Sequence, residues 1–248
     1  MKIIRKLSLE SIMASKPWIV MIAGPNGAGK STFYEQVLKQ DPFFKSAEFV
    51  NLDILAKKIA GEGNDPNNFM FTAGKIINNH LAENLKKKKS FIYETTASGI
   101  THLKLLKEAK KQGFKINTIL IGLSSAELSL LRVRQRVNEG GHDVPVEDIN
   151  RRYPKIINNF PELLKVSDIS AVFDNSGKDP FKLIFLMDES RFWIFHSYPN
   201  WLRKSLQDRK TSKEFIHITG KEMKSMPKEK SSKIIANIFK QLHRGGQR

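Results

Sequence analysis

The stretch from Ile19 to Phe33 reads IVMIAGPNGAGKSTF and contains the residue types that bind phosphate. Its three glycines let the backbone turn tightly with N–H groups facing inward, Lys30 adds a cation, and Ser31 offers a hydroxyl to Mg²⁺. An apolar run precedes this loop and a helical pattern follows it, so an anion would also meet a helix N-terminus. The spacing predicts a site for a nucleoside triphosphate with Mg²⁺. A glycine-rich turn that only joins strand to helix is the alternative, which the lysine, the serine and the flanking elements disfavour.

Polar residues also follow other apolar runs. In an open parallel sheet, catalytic and binding residues lie at the carboxyl ends of the strands. The motif FVNLD supplies Asp53, FIYETT supplies Glu94 and Thr96, and VFDNSG follows a later run. A carboxylate beside a bound triphosphate can hold Mg²⁺ through water or remove a proton from an attacking hydroxyl. For Asp53 the alternative is an N-cap of the helix that begins ILAKKIA, and the two roles are compatible.

Arginines are concentrated in LLRVRQRVNEGGHDVPVEDINRRYP. Arg132 and Arg136 lie four residues apart and share one helix face, and Arg151 and Arg152 follow on the next helix. In phosphoryl transfer, arginines on a mobile lid neutralise the charge that builds on the transferred group. The segment therefore predicts a helical lid near residues 125–165. A solvated basic face is the alternative.

The elements that must position these residues alternate between short β-forming runs and helical patterns. This alternation predicts a mainly parallel sheet covered on both faces, in the three-layer α/β/α arrangement of a P-loop NTPase. The predicted strands are Trp18 to Ala23, Phe49 to Asn51, Phe91 to Glu94, Ile116 to Leu123 and Ala171 to Asp174. A helix is predicted from Thr32 to Lys39. Beyond Pro180, FKLIFLMDESRFWIFH predicts an antiparallel hairpin on the sheet edge.

Composition limits the class of protein. The 248 residues, 40% of them hydrophobic, suffice for one domain with appendages. No apolar run reaches the length of a membrane helix, and the first residues lack the apolar segment of a secretory signal. The absence of cysteine excludes disulfides and thiolate metal sites. These features predict a cytoplasmic protein that does not enter the membrane.

The net charge of +17 is unevenly distributed, because 13 Lys and Arg against 4 Asp and Glu lie from Trp201 onward. A basic tail can bind nucleic acid or an anionic membrane surface. A solvated, partly helical extension is the favoured interpretation, because the segment lacks the aromatic and glycine residues interleaved in RNA-binding segments. We expect a P-loop kinase domain over residues 1–197, followed by a basic C-terminal extension over residues 198–248.

Taken together, these motifs resemble those of the zeta toxin family of P-loop kinases. The likeness covers residues 18–177 and rests on GPNGAGKST, FVNLD, FIYETTASG, RVRQRV with GGHDVP and INRRY, and FDNSG, in this order. Zeta toxins use ATP and Mg²⁺ to phosphorylate a sugar hydroxyl of UDP-N-acetylglucosamine. The resemblance implies the same cofactors, a small sugar nucleotide as substrate, and an antitoxin that, if present, is a separate protein.

Carried over by position, the resemblance also implies a set of site residues. The catalytic residues are Asp53, Lys30, Arg136 and Arg152. The nucleotide would lie against the loop and one lid arginine, namely Gly24, Pro25, Asn26, Gly27, Ala28, Gly29, Lys30, Ser31, Thr32 and Arg132. The acceptor would contact Asp53, Glu94, Thr96 and Arg151, and Mg²⁺ would bind Ser31 and Glu94.

Two rival functions stay open on the sequence. The charge of +17 suggests a polynucleotide or RNA-directed P-loop kinase, which needs a basic path from the tail to Asp53. A non-catalytic protein that binds ATP to switch a partner surface would not need Asp53 or the lid arginines.

Overall fold

The computed structural model describes residues 16–188 and 192–207, and a single seven-stranded sheet lies at its centre. The strands are β1 (Trp18–Ala23), β2 (Glu48–Asn51), β3 (Phe91–Thr95), β4 (Lys115–Gly122), β5 (Ile169–Asp174), β6 (Lys182–Asp188) and β7 (Phe192–Ile194). They are arranged in the order β2-β3-β1-β4-β5-β6-β7. The first five strands of this order run parallel, whereas β6 and β7 are antiparallel to their neighbours.

This topology confirms the α/β fold class and the edge hairpin. Strand β1 is buried along its whole length, between β3 and β4. Its sequence WIVMIA is continuously apolar because both faces of the strand are covered, as expected for the centre of a parallel sheet. The phosphate loop therefore begins at the end of a fully buried, central strand.

Helices cover both faces of the sheet. They are α1 (Lys30–Phe33, continued by a π-helical turn, Tyr34–Leu38), α2 (Pro42–Lys45), α3 (Leu52–Ala60), α4 (Met70–Lys86), α5 (Ile100–Lys111), α6 (Ala126–Asn138), α7 (Val146–Val166) and α8 (Asn200–Gln207). A 3₁₀ turn, Pro66–Phe69, leads into α4. Within the described ranges, no helix combines the length and apolar character needed to cross a bilayer.

The helix predicted from Thr32 to Lys39 is only partly regular. After Phe33 the hydrogen bonding widens, so that the Lys39 N–H donates to the Tyr34 carbonyl at 2.9 Å. In this π-helical turn the Tyr34 ring stacks on Phe49 of β2, with ring centroids 3.6 Å apart. Such a turn arises from tertiary packing, which the apolar spacing of the segment does not encode.

Two hydrophobic clusters lie on opposite faces of the sheet. One joins α4, α5, α7 and α8 through residues that include Leu81, Leu106, Phe160 and Trp201. The other joins α1 and α2 to the sheet through residues that include Phe33 and Phe44. The molecule therefore has the three layers expected from the alternation of strands and helices.

Helix α8 lies within the segment that the sequence analysis assigned to the basic extension. Its residues Trp201 and Leu202 are buried in the cluster that contains α7. Residues 198–207 thus include part of the packed core, and residues 208–248 lie outside the described residues. The division of the chain into a domain and an extension stays a prediction.

We expect Gly122→Ala to destabilise the protein. A Cβ at this position of β4 would lie 2.2 Å from the Trp201 ring, so α8 would have to move, at a cost of about 1–3 kcal/mol. Gly74→Ala, inside α4, places its methyl group where no atom beyond the helix's own backbone lies within 4 Å, and should instead stabilise by about 0.5–1 kcal/mol. Urea unfolding of both variants tests this, and equal effects would contradict the close packing of α8 on β4.

Candidate active site

The phosphate loop leaves no room for side chains at two of its glycines. A Cβ on Gly24 would lie 2.1 Å from the Ile121 carbonyl oxygen of β4. Gly29 has φ +86°, and a Cβ there would lie 3.0 Å from the Asn175 amide nitrogen and 3.1 Å from the Phe181 ring. The glycines are therefore required by neighbouring elements as well as by the turn itself.

Side chains from two other elements hold the loop at its carbonyl groups. Ser129 of α6 donates its hydroxyl to the Asn26 carbonyl at 2.5 Å. Asn175, which follows β5, donates its amide to the Ala28 carbonyl at 3.0 Å. The loop is thus fixed from both sides, by helix α6 and by the end of the sheet.

Lys30 is the buried cation of the loop. Its ammonium donates to the Pro25 carbonyl at 3.0 Å. Burial lowers the pKa of Lys30, the negative charges of Glu94 and Asp53 act in the opposite direction, and Arg136 lowers it further. Two cations and two carboxylates therefore interact electrostatically around one loop.

Ser31 and Glu94 form the second feature of the site. The Ser31 hydroxyl lies 2.9 Å from both carboxylate oxygens of Glu94. Burial raises the pKa of Glu94, although Lys30 and hydrogen bonds from Ser31 and Asn51 oppose this effect. Hydroxyl and carboxylate oxygens are ligands that suit Mg²⁺. No group of three or more acidic, His or Cys residues forms a metal cluster in the described ranges, so substrate phosphates and water would complete the coordination.

Asp53 lies in the first turn of α3 and does not cap it. The cap is Asn51, whose side chain accepts the Ile54 N–H at 3.0 Å. The alternative interpretation of Asp53 as the N-cap is therefore wrong, because Asn51 sits three residues before the N–H that it binds, as a cap requires. Capping does not occupy the Asp53 carboxylate, which is half-buried and interacts electrostatically with Lys30 and Glu94.

The Gly-Gly turn after α6 encloses Arg136. The Gly141 N–H donates to the Arg136 carbonyl at 2.8 Å, and the Arg136 guanidinium donates to the His142 carbonyl at 2.5 Å. A Cβ on Gly141 would lie 2.5 Å from Arg136 Cγ. Arg136 Nε is buried and finds no hydrogen-bond partner among the described residues, so it is an unsatisfied donor.

The other lid arginines occupy two different places. Arg132 lies beside the loop, where a Cβ on Gly27 would be 3.0 Å from Arg132 Cβ. Arg151 and Arg152 both donate to Asp148 of α7, at 2.5 and 2.6 Å, and hold the pKa of that carboxyl below its usual value. Of the four predicted arginines, Arg136 is thus the one whose charge acts on Lys30. The roles proposed for the other three stay predictions.

The loop after β3 carries Thr96 and rests on a histidine that the sequence analysis did not single out. Thr96 contacts Ser98, hydroxyl to hydroxyl, at 3.3 Å. Behind this loop, the two His102 ring nitrogens lie 3.0 Å from the Tyr93 hydroxyl and 3.1 Å from the Thr95 hydroxyl. Burial lowers the pKa of His102 to about 4. The neutral ring therefore links both ends of the segment that carries Glu94.

Ala97 turns this segment back toward the core. It adopts φ +56°, in the left-handed region, and its carbonyl accepts the Asn159 amide of α7 at 2.9 Å. Its N–H donates to the Thr95 hydroxyl at 3.1 Å. These contacts fix the turn after β3 that carries Thr96.

Comparison with known proteins gives one matching family model. It is described as an AAA domain and matches residues 19–152, a range that contains the phosphate loop, Asp53, Glu94 and all four lid arginines. An uncharacterised protein of Haemophilus influenzae is 28% identical over 149 residues, which is 57% of this chain and 100% of that protein.

Solved structures with a similar fold include chains from two protein systems. A chain of the AvrRxo1-ORF1:-ORF2 complex is 16% identical, with a TM-score of 0.62 over 92% of this chain and 77% of that one. A chain of the PezAT chromosomal toxin-antitoxin system of Streptococcus pneumoniae is 16% identical, with a TM-score of 0.53 over 84% of this chain and 86% of that one. At these identities the likeness establishes the fold.

We expect His102 to make stability depend on pH. Its folded-state pKa of about 4 lies below the ordinary value of 6.5, so the unfolded chain binds the proton first as the pH falls. The contribution is complete above pH 6.5 and is lost as the pH falls toward 4. Because the side chain is half-buried, the loss at pH 5 is up to about 2 kcal/mol.

Urea unfolding of the parent and of His102→Gln at pH 7.5 and pH 5 measures this contribution. The variant should be less stable at pH 7.5 because hydrogen bonds are lost, yet its stability should fall less between the two pH values. An identical pH dependence in both proteins would contradict a buried neutral His102.

Proposed function

Because the chain belongs to the AAA domain family that matches residues 19–152, we propose that it is an ATP-dependent kinase that phosphorylates a hydroxyl of a small acceptor. The observation that carries this proposal is the cluster of Lys30, Arg136, Glu94 and Asp53, which interact electrostatically around the phosphate loop. A loop that only bound nucleotide would need the cations and the metal ligand. It would not need a second carboxylate such as Asp53, which neither caps its helix nor forms an ion pair with a surface charge in the described part of the chain.

The residues of the site fit ATP and its cation. Lys30 is buried beside the loop and can exchange its bond to the Pro25 carbonyl for phosphate oxygens. Arg136 Nε is a buried donor without a partner in the described part of the chain. Ser31 and Glu94 offer the oxygen ligands that Mg²⁺ prefers, and the bound ion would neutralise charge on the phosphate oxygens.

Asp53 is the proposed general base. It accepts the proton of the acceptor hydroxyl while the acceptor oxygen forms a bond to the γ-phosphorus and the bond from that phosphorus to the β-phosphate oxygen breaks, releasing ADP. Lys30 and Arg136 then face the negative charge of the transferred group. The half-buried position of Asp53 leaves its carboxylate accessible to an acceptor.

The acceptor is the finer part of the proposal. We infer a sugar nucleotide of the UDP-N-acetylglucosamine type, on the zeta toxin motifs GPNGAGKST, FVNLD and FIYETTASG. The fold that the chain shares with a chain of the PezAT toxin-antitoxin system supports this class of kinase. A toxin of this kind would be inhibited by a separate antitoxin protein.

The test incubates the protein with Mg-ATP and UDP-N-acetylglucosamine, and in parallel with a cell metabolite extract and with RNA oligonucleotides. Mass spectrometry then identifies the compound that gains a phosphate. We expect the sugar nucleotide to be phosphorylated. Transfer to RNA alone would establish the rival kinase, and ATP binding without any transfer would establish the non-catalytic rival.

Asp53→Asn should separate binding from chemistry. Because Asn51 caps α3, the variant should fold and bind Mg-ATP like the parent, yet transfer phosphate about 10² to 10⁴ times more slowly. Glu62→Gln removes one negative charge from an exposed position just beyond α3 and should leave the rate unchanged. Equal transfer rates in the parent and in Asp53→Asn would remove Asp53 from the mechanism.

Gly141→Ala should impair transfer through Arg136. The new methyl group would overlap the Arg136 side chain and displace the guanidinium, so we expect a decrease in kcat of about 10- to 100-fold. Gly74→Ala, which meets no atom within 4 Å, is the matched control. Steady-state kinetics measure both, and a normal kcat for Gly141→Ala would show that Arg136 does not act on the transferred group.

A further inference from the structure

Helix α8 contacts the sheet at the point from which the phosphate loop is held. The Trp201 indole N–H donates to an Asp174 carboxylate oxygen at 3.1 Å. Its ring lies on Gly122, so closely that a Cβ there would be 2.2 Å away. Trp201 is 4% exposed, so this contact is part of the folded core.

Asp174 and Gly122, which both contact Trp201, position Asn175. Asp174 directly precedes it in the chain, and the Gly122 carbonyl accepts the Asn175 N–H at 3.0 Å. Asn175 in turn donates its side-chain amide to the Ala28 carbonyl of the phosphate loop. Its amide oxygen accepts the Phe181 N–H at 3.1 Å, which fixes the orientation of the amide group. Two sets of contacts therefore connect the Trp201 ring to the phosphate loop, one through Asp174 and one through Gly122, and both pass through Asn175.

Helix α8 is also held against α7, at a carbonyl that a proline in α7 leaves without its helical hydrogen bond. Pro161 lies inside α7 and has no N–H to donate to the Ile157 carbonyl, one turn earlier. The Ser205 hydroxyl of α8 donates to that carbonyl at 2.6 Å. Phe160 also packs edge-on against Trp201, with ring centroids 5.7 Å apart. Helix α8 is thus attached to α7 at one specific place, with Trp201 directed at Asp174.

We propose that α8 positions the phosphate loop for nucleotide binding, and that Trp201 is a positioning residue acting through Asp174, Gly122 and Asn175. This inference rests on the proposed binding of ATP but not on the identity of the acceptor. It gives the first turn of α8, which lies beyond residue 197, a role in the nucleotide site.

The experiment measures the affinity of full-length variants for a fluorescent ATP analogue with Mg²⁺. Trp201→Phe keeps an aromatic side chain at this position but loses the donor to Asp174 and the outer indole atoms on Gly122, and should weaken binding by about 3- to 10-fold. Lys204→Ala, an exposed position on the same helix, should bind like the parent. Melting temperatures show whether each variant is folded under the assay conditions.

The decisive measurement repeats Trp201→Phe in a protein that already carries Asn175→Ala. If Trp201 acts through Asn175, Trp201→Phe should weaken binding in the parent and should cause no further loss in Asn175→Ala. Equal losses in both backgrounds would overturn the proposal, because they would mean that Trp201 acts independently of Asn175. Parental affinity in Trp201→Phe would also overturn it. A parent that does not bind the analogue would instead reject the proposed function.

A second measurement uses the parent protein and does not depend on the folding of any variant. Because coupling between two sites is reciprocal, bound analogue should slow amide hydrogen exchange in residues 202–207. Unchanged exchange in α8, with slower exchange in the phosphate loop, would show that the loop binds nucleotide without α8 and would overturn the inference.

Discussion

The fit of the phosphate loop between β4 and α6 is the constraint on which the rest of the structure depends. Gly24 meets the Ile121 carbonyl, and Ser129 binds the Asn26 carbonyl from α6. A loop packed this closely cannot rearrange without moving the sheet or the helix, because protein interiors leave few voids. Its shape is therefore set before any ligand arrives, which lowers the entropy lost on binding phosphate.

Burial of charge is the cost of this arrangement. Lys30 and Glu94 are both buried, and each shifts the pKa of the other toward the charged form. Charged partners and the hydrogen bonds to Pro25 and Ser31 offset only part of the desolvation, which is the largest effect on the pKa of each group. A site that contains buried charges of both signs suits a ligand that brings both a polyanion and a cation.

The sequence allowed the sheet, the edge hairpin and the phosphate loop to be predicted, because each depends on local patterns. Continuous apolar runs indicate buried parallel strands, and glycine spacing indicates a phosphate loop. The sequence offered Asp53 as an alternative N-cap of α3, whereas Asn51 caps the helix, since both are N-cap residue types and only the backbone geometry distinguishes them. The contacts of Ser129 and His102 join residues far apart in the chain or in different elements, and no local pattern signals them.

The bond between Asn175 and Ala28 also has a consequence for biosynthesis. These residues lie 147 positions apart, so the ribosome completes the loop long before it adds the side chain that braces it. Domains fold as units during synthesis, and early segments wait for the strands that enclose them. We therefore expect a nascent chain to have a loose phosphate loop until β5 has emerged, and competence to bind nucleotide to arise late in translation.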